Sequence, residues 1–251
     1  MSKIRFTEPN REILARRDSI INDLTRLVDP AGLITSTDEC RAYETDALTA
    51  YRKMPLAVVL PKTTEEVSAV LKYCHDTGVK VVPRGAGTSL AGGAIPSEDA
   101  VVLGLSKMNR VLAVNYDDRF IRVEAGVTNL SVTAVVAENG FFYAPDPSSQ
   151  LACTIGGNIA NNSGGAHCLK YGVTTNNLLG VRMVLIDGSI IDLGGDYLDS
   201  AGLDLLGLVV GSEGQLGIVT EATLRILKSA EGARPVLFGF PSCEGAGKAV
   251  A

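Results

Sequence analysis

Hydrophobic and polar positions follow three different rhythms along this chain, and the changes of rhythm mark its expected elements. Between residues 10 and 28, Ile13, Leu14, Ile20, Ile21, Leu24 and Leu27 recur near helical spacing among charged neighbours, with Pro30 and Gly32 beyond them. That spacing predicts an amphipathic helix capping the domain. Residues 35–53 carry no strong period and read as an extended connection. Residues 56–60 (LAVVL) are a continuous apolar run stopped by Pro61, the pattern of a strand buried on both faces. Thr63 and Glu66 are spaced as a capping box; Val67, Val70, Leu71 and Cys74 then form one helical face, and Gly78 ends it. Residues 79–83 (VKVVP) give the next strand, so residues 56–83 predict a β-α-β unit with a right-handed crossover.

Downstream the runs shorten. Strands are predicted at 100–105, 111–115 and 120–124, the last two joined by Tyr116-Asp117-Asp118. Residues 129–138 return to helical spacing and stop at Asn139-Gly140. Residues 181–186 and 190–193 flank Asp187-Gly188, a hairpin signal, and residues 203–210 read as a short helix. Ile218, Thr220, Ala222, Leu224 and Ile226 alternate against Val219, Glu221, Thr223 and Arg225, which predicts a half-exposed strand. Together these elements predict an α+β fold: a small β-α-β unit, then a larger mixed sheet with flanking helices.

Two stretches lack any such rhythm. PRGAGTSLAGGA, residues 83–94, follows directly on the second predicted strand. Its backbone amides can converge on one spot, as in the nests that take phosphate oxygens, and Arg84 adds a charge. The pattern is neither G-x-G-x-x-G nor a Walker loop, and a glycine-rich turn without ligand is the alternative. Residues 143–172, YAPDPSSQLACTIGGNIANNSGGAHCLKYG, hold glycine and asparagine pairs and almost no bulky core formers. Such a segment is not expected to hold itself together by burying side chains. It reads either as a wall shaped by a large, flat, polar ligand or as a long surface loop.

Composition narrows the function. The 251 residues carry a net charge of -5 with no compensating basic cluster, which weighs against a nucleic-acid partner. No apolar window is long enough to span a membrane, and the charged N-terminus lacks a secretory core, so a cytoplasmic location is expected. Cys40, Cys74, Cys153, Cys168 and Cys243 form no C-x-x-C pair and read as reduced structural thiols, with Cys153 and Cys168 assigned to packing. His75 and His167 are the only histidines, which leaves few candidates for a metal, and no metal site is predicted.

PRGAGTSLAGG, PDPSSQLACTIGGNIANNSGG and GSEGQLGIVTEATLRI in this order resemble the FAD-binding domain of the vanillyl-alcohol oxidase and p-cresol methylhydroxylase flavoproteins. YAPDPSSQLACTIGGN and GGAHCLKYG are similar to the branch holding glycolate oxidase D subunits and D-lactate dehydrogenases. The resemblance implies that Arg84, Gly85, Ala86, Gly87, Thr88 and Ser89 wrap the FAD pyrophosphate, with Gly92 and Gly93 nearby. It places Pro145, Asp146, Ser148, Ser149, Thr154, Gly156, Gly157, Asn158, Asn161, Ser163 and Gly164 along the ribityl chain and ring edge. Glu213, Gly217, Ile218 and Val219 match the segment closing over the adenine and ribityl side. Thr88 stands where some members carry a flavin-linking histidine, which implies non-covalent FAD. His167 is either a hydrogen-bonding group near the ring or a structural histidine. Asp146, between two prolines, reads as a turn-stabilising aspartate more than a flavin-facing one. Tyr171 is expected to stack or pack in the pocket and Lys170 to cover surface.

The activity implied is oxidation of a small 2-hydroxy acid, glycolate or D-lactate, to its 2-oxo acid. The alternative is a non-catalytic FAD-binding fragment that needs another chain. A likeness to the cell-wall precursor reductases of the superfamily is disfavoured by YAPDPSSQ. By resemblance, residues 1–50 form an N-terminal helical segment, 51–228 the FAD-binding domain in two subdomains, and 229–251 the start of an incomplete substrate-capping domain. In that last part a strand is expected at 235–240 and a helix from 244, while the catalytic base and metal ligands are expected in the missing remainder. The resemblance also implies companion subunits of a glycolate oxidase complex, one binding a second FAD and one carrying iron-sulfur clusters, at the inner membrane face.

Overall fold

The chain enters through two short helices, α1 (Arg11–Ala15) and α2 (Arg17–Leu24), where apolar spacing predicted one. The structure is a computed structural model that describes residues 7–196, 202–232 and 234–251; the first six residues of the expected N-terminal segment lie outside it. Arg16 joins the two helices in a tightened turn, its N–H donating to the Ile13 carbonyl, and Ile13, Ile20 and Leu24 are buried beneath. After β1 (Leu33–Ile34) comes α3 (Thr37–Cys40), which corrects the extended connection expected over 35–53. Ser36 caps the helix by accepting from the Glu39 N–H, and its hydroxyl donates to the Glu39 carboxylate at 2.7 Å.

The next elements are β2 (Ala57–Val59), α4 (Thr64–Thr77), β3 (Lys80–Arg84) and β4 (Ala100–Gly104). The first sheet runs β1-β2-β4-β3, so β4 inserts between the two strands of the predicted β-α-β unit and pairs parallel with both. Every residue of β2 and β4 is buried because the sheet is covered on both faces. One face carries α2 and α4; Cys40, Tyr43 and Met54 pack on the other.

Thr63 caps α4 through its hydroxyl, and Gly78 closes it in the left-handed region at φ 73°. Val67, Val70 and Leu71 face the core, each stabilising the fold by about 1.5–3 kcal/mol relative to exposure. The helix also meets the second sheet. The buried hydroxyls of Thr64 and Thr220 lie 3.0 Å apart, and Ser68 donates to the Gly188 carbonyl at 2.5 Å.

The remaining elements are β5 (Val111–Asn115), β6 (Phe120–Glu124), α5 (Asn129–Val136), β7 (Phe141–Phe142), α6 (Ile155–Asn161), α7 (Cys168–Tyr171), β8 (Leu178–Val184), β9 (Ile190–Gly194), α8 (Leu205–Val209), β10 (Ile218–Arg225), β11 (Leu227–Lys228) and α9 (Cys243–Val250). Five strands make an antiparallel sheet in the order β5-β6-β10-β8-β9, and β7 pairs with β11. The result is a mixed α+β fold of sheets with flanking helices. Among the described residues no helix is long and apolar enough to cross a membrane.

Three expectations need correction. β10 is buried over most of its length, not half-exposed, because it is the central strand and two arginines cover its outer face. Arg122 donates to the Thr223 hydroxyl and Arg182 to the Glu221 carboxylate, both at 3.4 Å. Residues 143–172 do bury anchors of their own: Ile155 and Ile159 of α6 are wholly inaccessible in the second core. Residues 235–240 form no strand; among the described residues no strand pairs with them, and Val236, Leu237 and Phe238 are exposed.

Candidate functional site

A cleft opens where three segments meet: the loop after β3, the run from Ser149 to Ser163, and the turn entering β10. The first wall is the glycine-rich loop. Gly87 sits at φ 71°, in the left-handed region that favours glycine, and a Cβ there would clash with the Arg84 guanidinium. Among the described residues, the amides of Gly85, Ala86, Gly87, Thr88 and Ser89 donate to no protein acceptor. Successive free amides in a turn form a nest with partial positive charge. Gly93 and Ala94 continue this wall.

Arg84 is part of the cleft lining, with its guanidinium engaged by the protein. It is buried under the loop, where Nη1 donates to the Thr45 carbonyl at 2.7 Å and Cζ lies 5.5 Å from the Tyr43 ring centroid. Burial lowers its pKa, opposed by the nearby Tyr43 and Asp46.

The second wall is α6 and the residues just before and after it. Thr154 caps α6, its hydroxyl accepting from the Gly157 N–H at 3.3 Å. The Ile155 amide donates to Val127 O, that of Gly156 to Ala125 O and that of Asn158 to Thr154 O. The first turn of α6 therefore offers the cleft no free donor. Buried Asn129 braces the wall, donating to the Pro145 carbonyl at 3.0 Å and to Asn158 Oδ1 at 2.9 Å, while Asn158 donates to the Cys153 sulfur. Gly85 lets the two walls touch, since a Cβ there would fall 2.6 Å from Thr154 Oγ1. Ser149, Thr154, Gly156, Gly157, Asn158, Asn161 and Ser163 all line the cleft.

Glu213, Gly217, Ile218 and Val219 close it from the third side. Glu213 is exposed, with φ 54°, its N–H donating to the Ala160 carbonyl and its carboxylate lying against Gly93. Six candidates stay off the lining: Gly92, Pro145, Asp146, Ser148, Gly164 and His167. Asp146 is engaged with His167 instead, its Oδ2 lying 2.7 Å from Nδ1 and its Oδ1 accepting the His167 N–H at 3.1 Å. The His167 ring is mostly exposed. Tyr171 packs edge-on to Phe142, with Lys170 over its ring at 5.1 Å. Cys153 is buried, but Cys168 is exposed, against the packing role expected for it.

Sequence reasoning missed Ala94, Leu105, Cys153, Ile159, Ala160, Val209, Ser212 and Gly214 in the lining. Leu105 is there because β4 pairs with β3, which sets the residues after each strand side by side, and its N–H donates to the Arg84 carbonyl. Cys153 and Ile159 lay inside the quoted motif; their apolar character had pointed only to packing.

The donor set suits FAD. A diphosphate needs several donors together, which the first wall supplies, and a polyhydroxyl chain needs short side-chain partners, which Asn161 and Ser163 supply. Comparison with known proteins agrees. A family model described as "FAD binding domain" matches residues 55–194. The chain is similar to glycolate oxidase subunit GlcD of Escherichia coli strain K12, 48% identical over 234 residues, covering 93% of this chain and 47% of that protein. It is also similar to a D-lactate dehydrogenase of Archaeoglobus fulgidus, 39% identical over 230 residues, covering 91% and 51%. Among solved structures, alkyldihydroxyacetonephosphate synthase shares the fold with a TM-score of 0.77 at 22% identity, over 91% of this chain and 43% of that one. The chain spans about half the length of the curated relatives it matches.

Proposed function

The chain belongs to the FAD-binding domain family, and from that premise we propose that it is the cofactor-holding portion of an FAD-dependent dehydrogenase of small 2-hydroxy acids, glycolate or D-lactate. The observation that carries this reading is the row of free amides from Gly85, Ala86, Gly87, Thr88 and Ser89 facing α6 across the cleft. These amides take the diphosphate oxygens, and the Thr88 and Ser89 hydroxyls add donors. Asn161 and Ser163 hold the ribityl hydroxyls, with Asn158 buried behind them. Glu213 accepts from a ribose hydroxyl, because a carboxylate suits a hydroxyl and repels a phosphate. Bound there, FAD would supply the acceptor for the α-hydrogen of a 2-hydroxy acid as hydride, while the hydroxyl proton passes to a base, leaving the 2-oxo acid.

Among the described residues, the ionisable side chains of the cleft are Arg84, Cys153 and Glu213. Arg84 and Cys153 are buried and hydrogen-bonded within the protein, so neither is placed to take a proton from the substrate. The chain covers 47% of the Escherichia coli relative, which favours a second reading: an FAD-binding module whose turnover needs further polypeptide. We also propose that FAD is held without a covalent bond, since Thr88 follows Gly87. The likeness to an oxidase subunit supports membership of a cytoplasmic multi-subunit complex at the inner membrane face.

The test is an assay of the FAD-loaded chain with glycolate and with D-lactate against a dye acceptor. Turnover supports the first reading; bound yellow cofactor without turnover supports the second; failure to bind FAD sinks both. Acid precipitation should leave the yellow colour in the supernatant, and colour in the pellet would refute the non-covalent assignment.

A further inference from the structure

The first wall is held from outside the cleft by residues 43–48, which precede the first residue of the family match. Three hydrogen bonds fix three separate points of the loop. The Ala47 N–H donates to the Gly87 carbonyl at 2.9 Å, the Gly92 N–H to Asp46 Oδ2 at 3.0 Å, and Arg84 Nη1 to the Thr45 carbonyl at 2.7 Å. Asp46 is itself 4% exposed, and its second oxygen accepts the Leu48 N–H at 2.9 Å. The Thr45 hydroxyl donates to the Tyr51 carbonyl at 2.9 Å, which ties the segment back on itself.

A buried carboxylate beside an anion nest is electrostatically adverse, so its presence calls for a geometric reason. Both of its oxygens are occupied by backbone N–H groups, and the buried Arg84 guanidinium lies near enough to offset its charge. The loop above is rich in glycine, whose backbone loses the most freedom on ordering. If the free amides had to be brought together by the ligand, that cost would fall on binding; a loop already ordered binds more tightly.

We propose that Thr45, Asp46 and Ala47 form a clasp that sets the amide nest before the cofactor arrives, with Asp46 as its positioning residue. The inference rests on the FAD reading for the ligand alone; the clasp itself is a property of the empty protein. Amide hydrogen exchange on the wild-type chain without FAD is the first test. The Ala47 and Gly92 amides should be protected about tenfold or more beyond those of Ala86 and Thr88, and adding FAD should then protect Ala86 and Thr88. Free exchange of Ala47 and Gly92 until FAD is added would overturn the proposal, because the ligand would then be building the clasp.

The second test is Asp46→Ala. Its FAD dissociation constant should rise about tenfold, with exchange in α6 unchanged, and Asp46→Asn, which keeps one of the two acceptors, should recover part of the loss. Unchanged FAD affinity, or loosening of α6 together with the loop, would overturn it, the latter by showing a merely structural role. If Asp46→Ala does not fold, Asp46→Asn and the wild-type exchange decide. A wild-type chain that binds no FAD sinks the functional reading instead, and exchange in the empty protein still decides the clasp.

Discussion

The two walls of the cleft solve opposite problems. The loop after β3 leaves its amides unpaired and is fastened from behind, by Thr45, Asp46 and Ala47. The α6 wall pairs the amides of its first turn within the protein and is fastened from inside, by Ile155 and Ile159 in the core and by the Asn129 bridge. One wall is a set of donors held ready and the other a finished surface. A cleft built this way is rigid along one wall and receptive along the other. The difference predicts that stability resides in the second wall and ligand dependence in the first.

Ile159→Ala should break the second wall most severely. Its side chain is wholly buried, so the loss is expected at about 2–5 kcal/mol, read as a shifted urea midpoint. A change under 1 kcal/mol would show that α6 is not the anchor described. Next in size is the effect of FAD itself, which at roughly a hundredfold excess over its dissociation constant should raise stability by about 2.7 kcal/mol. Exchange should slow at Ala86 and Thr88 and stay level at Ile155 and Gly156; equal slowing on both walls would erase the contrast. Asn129→Ala leaves the Pro145 carbonyl and Asn158 Oδ1 without a donor, at a cost of about 1–3 kcal/mol. If thermal melting shows no loss, the bridge does not brace the wall.

Asp99 touches neither wall and bears least on the contrast between them. Burial pushes its carboxyl up, but hydrogen bonds from Ser97, Lys80 and the Asn10 N–H outweigh this and hold it at about 2, below the ordinary 3.8. A folded pKa below the unfolded one stabilises fully above the unfolded value, and the stabilisation is lost as pH falls toward the folded value. Unfolding free energy should accordingly drop between pH 3.8 and 2 through this group, and Asp99→Asn should flatten that limb. An unchanged acid limb in the variant would assign it to other carboxylates.

Local signals carried much of this into view. The capped run of α4, its glycine stop and the flanking apolar strands were readable because each depends on residues within a turn or two. Ser36 was equally readable as a helix cap and was passed over, since the stretch beyond it has no apolar period. What could not be read depends on distance along the chain. Asp46 reaches Gly92 across 46 positions, and Arg122 reaches Thr223 across 101. The glycines were legible as close approaches but not as approaches to what: Gly85 makes room for Thr154, where the sequence suggested only a ligand.

One helix touches both sheets. Through Thr64 and Ser68, α4 meets the second sheet, while its apolar face lies on the first, and the loop that forms the first wall leaves from β3 beside it. The helix thus couples the sheet that carries the first wall to the sheet behind it. A bulkier residue at position 64 would act at a distance, disturbing a first wall it never touches.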